Sequence, residues 1–297
     1  MPNSQETSTS ALGFSFYTMD RISETLNQLQ KHRFVFIGGL HRSGTSLLAK
    51  LLAQHPLISS FSGTGVPEDE GQHLQDVFAP AVAYGGAGKF GFVPESHLTE
   101  DSDLITDQNR VKLFSQWRRW WDTSRPLFLE KSPPNLIRAR FLQALFPESY
   151  FIMVLRHPVA VSLATRKWSH TGVHSLLAHW LICHRTFIRD AAYLKHVLVV
   201  RYESLVAEPQ ATIDRLCAFL KIPSHPVDLE IADHNDRYLR EWSSRRSDWR
   251  SRAYVRYLQL RFETAVNRFG YTLMLDGRFI DQVVYANRGG QRVDPNG

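Results

Sequence analysis

The stretch FVFIGGLHRSGTSLLAKLLAQHP, Phe34 to Pro56, constrains this chain more than any other part of it. An apolar run, a glycine-rich turn and an amphipathic run follow one another, the order of a strand, a phosphate-binding loop and a helix. A turn of this kind aims backbone N–H groups and a helix N-terminus at an anion. Yet a Walker A loop (GxxxxGK[ST]) counted from Gly39 needs lysine where this chain carries Thr45, and the nearest cation is Arg42. Gly38, Gly39 and Gly44 let the backbone approach a ligand, Arg42 supplies charge, and Ser43, Thr45 and Ser46 supply hydroxyls. The competing reading is a tight strand-to-helix turn capped by Ser43, with Arg42 in solvent.

Further apolar runs are LISSF (57–61), LFLE (127–130), YFIMVL (150–155) and VLVVRYE (197–203). Helical patterns are expected at 44–54, about 104–122, 134–146, 158–169, 174–195, 209–220 and 246–268. Short strands without polar alternation, separated by helices, predict an α/β fold: a parallel β-sheet flanked by helices and buried on both faces. Right-handed crossovers then gather the loops that follow the strands along one edge, where ligands of such folds bind. The segment 62–103, rich in Gly, Pro and acidic residues, is the longest irregular piece. Loops of that length inside compact domains are often functional. Three regions are expected: a polar segment and helix over 1–32, the main domain over 33–275, and a poorly ordered tail over 276–297.

The 297 residues are 43% hydrophobic and 22% charged, enough for a sizeable core. A net charge of +6 spread without a long Lys/Arg run argues against a nucleic-acid arm and suits an enzyme that holds an anionic ligand. Cys183 and Cys217 are the only cysteines, which gives no disulfide framework and no Cys-based zinc site. His170 and His174 stand four apart, but without HExxH and with Gly172 between them, so no metal site is expected. With no signal-peptide core and no apolar run near ~18 residues, the expectation is no membrane span and a cytoplasmic location. A nucleotide triphosphatase also needs a strand ending in an acid for magnesium. FIMVL ends instead in Arg156, while LFLE ends in Glu130 and keeps a kinase-like site open.

Four segments in order resemble sulfotransferases that use 3′-phosphoadenosine 5′-phosphosulfate (PAPS), over roughly Arg33 to Tyr271. GLHRSGTS is similar to their 5′-phosphosulfate loop, in the arginine version of protein-tyrosine sulfotransferases. LEKSPPNL resembles a lysine motif of carbohydrate sulfotransferases, and YFIMVLRHPVAVSLATRKW the strand and helix that hold the donor's 3′-phosphate. VVRYESLVAEPQATIDRLCAFLKIP looks like the segment lining the adenine side, with Tyr202 in it. The resemblance implies a P-loop nucleoside triphosphate hydrolase-like fold and metal-free transfer of a sulfuryl group to a hydroxyl by in-line displacement. It assigns the donor to Arg42, Ser43, Gly44, Thr45, Ser46, Arg156, Ser162 and Tyr202, and points Lys131 at the bridging oxygen and sulfuryl group. In one departure, the family's second 3′-phosphate contact, a serine, falls here on Ala164, with Ser162 and Thr165 as neighbouring hydroxyls.

The acceptor hydroxyl must lose a proton to a nearby carboxylate or imidazole. GTGVPEDEGQHL offers Glu68, Asp69, Glu70 and His73, and the resemblance ranks Glu70 first, Glu68 second and His73 third. Glu130 is expected to be structural, holding a nearby cation. HNDRYLREW (His234–Trp242) is either a ligand loop or an amphipathic segment with Tyr238, Leu239 and Trp242 inward. The acceptor stays open among carbohydrate, lipid, small molecule and peptide. A P-loop kinase or NTPase, and a non-catalytic member of the fold, are the alternatives.

Overall fold

The computed structural model describes residues 22–228 and 231–274, together with two short strands, Tyr285–Ala286 and Arg292–Val293, that pair antiparallel. The polar start over 1–21 and the rest of the tail lie outside the described residues. In chain order the elements are a helix over 22–29 (α1), β1 (Arg33–Gly39), α2 (Thr45–Ala53), β2 (Ile58–Ser60), α3 (Asp107–Arg118) and β3 (Leu127–Lys131). Then come α4 (Ala139–Leu145), β4 (Ser149–Leu155), α5 (Pro158–Ser169), α6 (Val173–Ala191) and β5 (Val197–Arg201). The last are α7 (Tyr202–Ala207), α8 (Pro209–Leu220), α9 (Asn235–Ser247) and α10 (Arg252–Asn267).

The sheet order is β2-β3-β1-β4-β5, all parallel. Successive side chains of a strand leave on opposite faces, and here the two faces differ in kind. Phe34, Phe36, Phe128, Phe151 and Met153 point to one side, where Trp117, Phe146, Trp180 and Trp242 complete a largely aromatic core. Val35, Ile37, Leu127, Leu129 and Ile152 point to the other, where Leu48, Leu52, Leu216 and Leu220 of α2 and α8 cover them. Each such fully buried side chain contributes roughly 1.5–3 kcal/mol, which is why the strands read as unbroken apolar runs. Along β3 the alternation puts Glu130 on the aromatic side with Phe128, and Lys131 on the aliphatic side with Leu129, towards α2.

The chain leaves β1 for β2 and β3 on one side, then crosses to β4 and β5 on the other. β1 is therefore the switch point, and its loop opens into the crevice at the carboxyl edge of the sheet.

Several expected boundaries move. Pro133 and Pro134 turn the start of the expected 134–146 helix into a 3₁₀ turn, Pro133–Ile137, before α4. Thr106 accepts a hydrogen bond from the Asn109 backbone N–H and caps α3, which starts later and ends earlier than 104–122. The expected last helix, 246–268, begins only at Arg252. Asp248 is extended and ends the additional helix α9, and its carboxylate accepts from the Ser251 N–H at 3.1 Å. Tyr238 and Trp242 are buried and Leu239 packs on the core, as the amphipathic reading of that segment requires. Residues 62–103 hold no α-helix or strand but five 3₁₀ turns. Trp117 Nε1 donates to the Gly71 carbonyl (2.9 Å), and Gln72 Oε1 accepts from Ala81 N (2.8 Å).

Candidate active site

Four strand ends meet along one edge: the loop after β1, Lys131 closing β3, Arg156 after β4 and Tyr202 after β5. A cleft of about 900 Å3 runs along it, with Arg42, Gly44, Glu70, Arg156, Tyr202 and His234 on its walls.

The loop is shaped by what surrounds it. Gly44, with φ of 105°, precedes α2, and a Cβ there would lie 2.5 Å from the Tyr202 ring. No side chain but hydrogen fits both the torsion and the space. Arg42 also adopts a left-handed φ of 69°, and its carbonyl accepts from Arg156 Nη1 at 2.8 Å. Its side chain is exposed, with the guanidinium over the Trp168 ring at 5.5 Å. Ser43 does not cap the helix: its buried hydroxyl has no partner among the described residues. Thr45 is buried and Ser46 Oγ donates to Glu68 Oε2 at 3.0 Å.

Arg156 is 5% exposed and fixed on three sides. Nε donates to Asn235 Oδ1 (2.8 Å), Nη1 to the Arg42 carbonyl, and the guanidinium lies over the Tyr202 ring at 3.8 Å. Nη2 is buried without an acceptor among the described residues. Burial pulls the pKa below the usual guanidinium value, against the opposing influence of Tyr202 and Glu203. The group nevertheless stays charged. Behind it, Glu203 Oε1 accepts from Asn235 Nδ2 (2.8 Å) and His157 N (2.9 Å), and Oε2 from the Tyr271 hydroxyl (2.9 Å). An acid two places after Arg201 thus positions the arginine through Asn235. Neither hydroxyl offered for the 3′-phosphate lines the cleft. Ser162 is 0% exposed, its Oγ without a hydrogen-bond partner among the described residues, and Thr165 Oγ1 donates to the His41 carbonyl at 3.3 Å.

Lys131 and Glu70 form a buried pair. Nζ lies 3.2 Å from Glu70 Oε1 and donates to the Glu68 carbonyl at 2.8 Å. Glu70 Oε2 accepts from Gln72 Nε2 at 2.5 Å, and His73 Nε2 stands 3.9 Å away. Glu70 is therefore in contact with Lys131, whereas His73 and Asp69 are not; Asp69 Oδ1 turns back onto Thr64. His41 also lines the cleft, and burial drops its pKa to about 4, with smaller pushes from Lys131 and His73. It is a neutral imidazole at pH 7.

Glu130 corrects an expectation: its partners are neutral donors, not a cation. Oε1 accepts from Gly71 N (3.0 Å) and Ser132 Oγ (2.5 Å), and Oε2 from Asn135 Nδ2 (2.5 Å). Burial pushes its pKa up to about 7, although Ser132, Asn135 and Lys131 pull it down. It fastens the Glu70 loop to the sheet. Sequence reasoning missed Asn235, Gln72, Glu203, Trp168 and His41. His41, Gln72 and Glu203 nonetheless sat next to residues already singled out, Arg42, His73 and Tyr202.

A family profile described as "Sulfotransferase family" matches residues 35–227. Protein-tyrosine sulfotransferase A of Caenorhabditis elegans is 25% identical over 212 residues, covering 64% of this chain and 50% of that protein. Protein-tyrosine sulfotransferase 2 of Gallus gallus is 25% identical over 202 residues, covering 63% and 51%. The chain thus spans about half the length of these curated relatives. Among solved structures, sulfotransferase STF9 from Mycobacterium avium is similar with a TM-score of 0.48 at 13% identity, over 77% of this chain and 80% of that one.

Proposed function

The chain belongs to the sulfotransferase family, and from that premise we propose that it transfers a sulfuryl group from PAPS to a hydroxyl acceptor without a metal ion. The observation that carries this reading is Arg156. A buried cation whose Nη2 has no acceptor among the described residues stands at the end of a central strand, beside a loop whose buried Ser43 hydroxyl likewise has no partner among them. An anion with many oxygens answers both groups. The kinase reading would need Glu130 for magnesium, and its two oxygens already accept three hydrogen bonds.

In this reading the loop from Arg42 to Ser46 holds the 5′ end of the donor, and Arg156, over Tyr202, takes the 3′-phosphate. When bound, the donor supplies the sulfur, whose bond to the bridging oxygen breaks as the acceptor oxygen attaches. Lys131 offsets the charge that develops on the leaving phosphate, the task a fixed cation does best in a water-poor site. A Glu70 carboxylate oxygen takes the acceptor's proton. The acceptor hydroxyl belongs to a sugar, lipid, small alcohol or peptide; a tyrosyl side chain is among these.

The test is calorimetry with EDTA present. Charge-assisted contacts to the 3′-phosphate favour 3′,5′-ADP over 5′-ADP by roughly 1.5–3 kcal/mol per bond. Equal affinity for the two nucleotides sinks the reading.

A further inference from the structure

Lys131 touches Glu70 on the wall of the larger cleft but does not itself line that cleft. It lines a second cleft of about 680 Å3 between α2 and β2, while Arg42, Arg156 and Tyr202 line the larger one. Glu68 is on the walls of both and divides them. Its carboxylate accepts from Ser46 Oγ at 3.0 Å, and its backbone carbonyl accepts from Lys131 Nζ at 2.8 Å. A single residue thus engages the loop hydroxyl and the cation that the proposed function assigns to the anionic end of the donor.

The turn that carries Glu68 is held under tension. Glu68 and Asp69 have φ of 53° and 50°, two successive left-handed residues that both bear a Cβ. That conformation is uncommon and costly, and persists only where surrounding contacts impose it. Asp69 imposes it in part, its Oδ1 accepting from Thr64 N (2.8 Å) and Thr64 Oγ1 (2.6 Å). Gly65, at φ of 82° and with open space where a Cβ would stand, lies on the N-terminal side of the turn.

We propose that Glu68 is a latch on the anion seat of the loop. Its carboxylate and carbonyl occupy Ser46 and Lys131 until an anion arrives at the loop and displaces them. The tensed turn then moves aside, the two clefts join, and Lys131 faces the same space as Arg42. The inference rests on the proposed reading of the loop as an anion seat. Lys131 would then act only when the seat is filled, and the latch lowers the apparent affinity of any anion by the fraction of molecules in which it is open.

Inorganic pyrophosphate, titrated into the wild-type chain, Glu68→Gln and Glu68→Asp at fixed ionic strength, tests the latch without depending on the nucleotide. Asp keeps the charge but shortens the reach to Ser46, so contact and charge are separated. Glu68→Asp should bind pyrophosphate about tenfold more tightly than wild type, the gain expected if the latch is closed in roughly nine molecules of ten, whereas Glu68→Gln, whose amide oxygen still accepts from Ser46, should gain less. Equal affinity in all three proteins overturns the proposal. A gain in Glu68→Gln alone overturns it too, because charge removal would then be the whole effect, and so does absence of pyrophosphate binding in all three. The EDTA comparison of 3′,5′-ADP with 5′-ADP stays separate: its failure removes the donor reading while a tenfold pyrophosphate response keeps the latch.

Discussion

Along β3 the side chains of Glu130 and Lys131 leave on opposite faces of the sheet, and this parity separates a structural acid from a candidate catalytic cation. Lys131 faces Glu70 in a buried pair. Lys131→Ala should cut turnover 10²–10³-fold, on the scale of losing one oxyanion donor, while 3′,5′-ADP affinity stays nearly intact. It should also destabilise the fold by up to about 3–5 kcal/mol, because Glu70 is left buried and unpaired. The double variant Lys131→Ala/Glu70→Gln should recover much of the melting temperature and none of the activity; recovered activity would show that neither Lys131 nor Glu70 takes part in the chemistry. Glu130 predicts a pH effect of definite sign. Its carboxyl titrates near 7 in the folded chain against an ordinary value of 4.5, so the folded state holds the proton longer than the unfolded state. The resulting stabilisation is complete below about pH 4.5 and is lost as pH rises towards 7. Urea unfolding of wild type and Glu130→Gln at pH 4.5 and 7.5 should show that loss in the first protein and its absence in the second. Arg42 and Arg156 were legible as candidates from the glycine turn and a strand end, Lys131 and Glu70 from the family resemblance, and all four come to one edge of the sheet. The burial of Ser162 was not legible: only the packing of α5 reveals that its hydroxyl is sealed from the cleft.

At the scale of elements, the strands were legible and the helices that frame the cleft only partly so. Strand signals survive because burial on both faces leaves nothing polar to interrupt them. α9 was harder to see: its charged sequence hides the inward Tyr238 and Trp242, and its border with α10 is set by the extended Asp248. That helix matters because its first residue, Asn235, accepts from Arg156 Nε and leans on Glu203. VVRYE likewise reads as one strand, yet the strand ends at Arg201 and Tyr202 begins α7, which brings the ring under the Arg156 guanidinium. Asn235→Ala should therefore loosen Arg156 without touching the glycine loop. A hydrogen bond to a charged group contributes about 1.5–3 kcal/mol, so 3′,5′-ADP affinity should fall at least tenfold while that for 5′-ADP hardly changes. A parallel loss for both nucleotides would mean that Asn235 supports the cleft as a whole.

At the scale of the whole molecule, sheet order does what local sequence cannot. Lys131 lies 89 residues beyond Arg42 and Arg156 another 25 beyond Lys131 in the chain. The order β3-β1-β4 sets their strands side by side, with the glycine loop in the middle. An anionic nucleotide in the cleft would tie both wings of the sheet together, from the Glu70 loop beyond β3 to Tyr202 and His234 beyond β5. A ligand bound only by the native state adds about 2.7 kcal/mol at a concentration 100 times its dissociation constant. For a chain of this length that corresponds to a rise in melting temperature of roughly 4 °C, from average unfolding entropies per residue. Saturating 3′,5′-ADP in EDTA should give that rise, and ATP with magnesium at equal concentration a smaller one, since it offers no 3′-phosphate to Arg156. The rise should shrink in Arg156→Met, which keeps an apolar stem over Tyr202 but no charge, and should persist in Lys131→Ala. If ATP with magnesium stabilised the chain more than 3′,5′-ADP did, the strand-end arginine would not be reading a 3′-phosphate, and a nucleoside triphosphate would become the better candidate for the cleft.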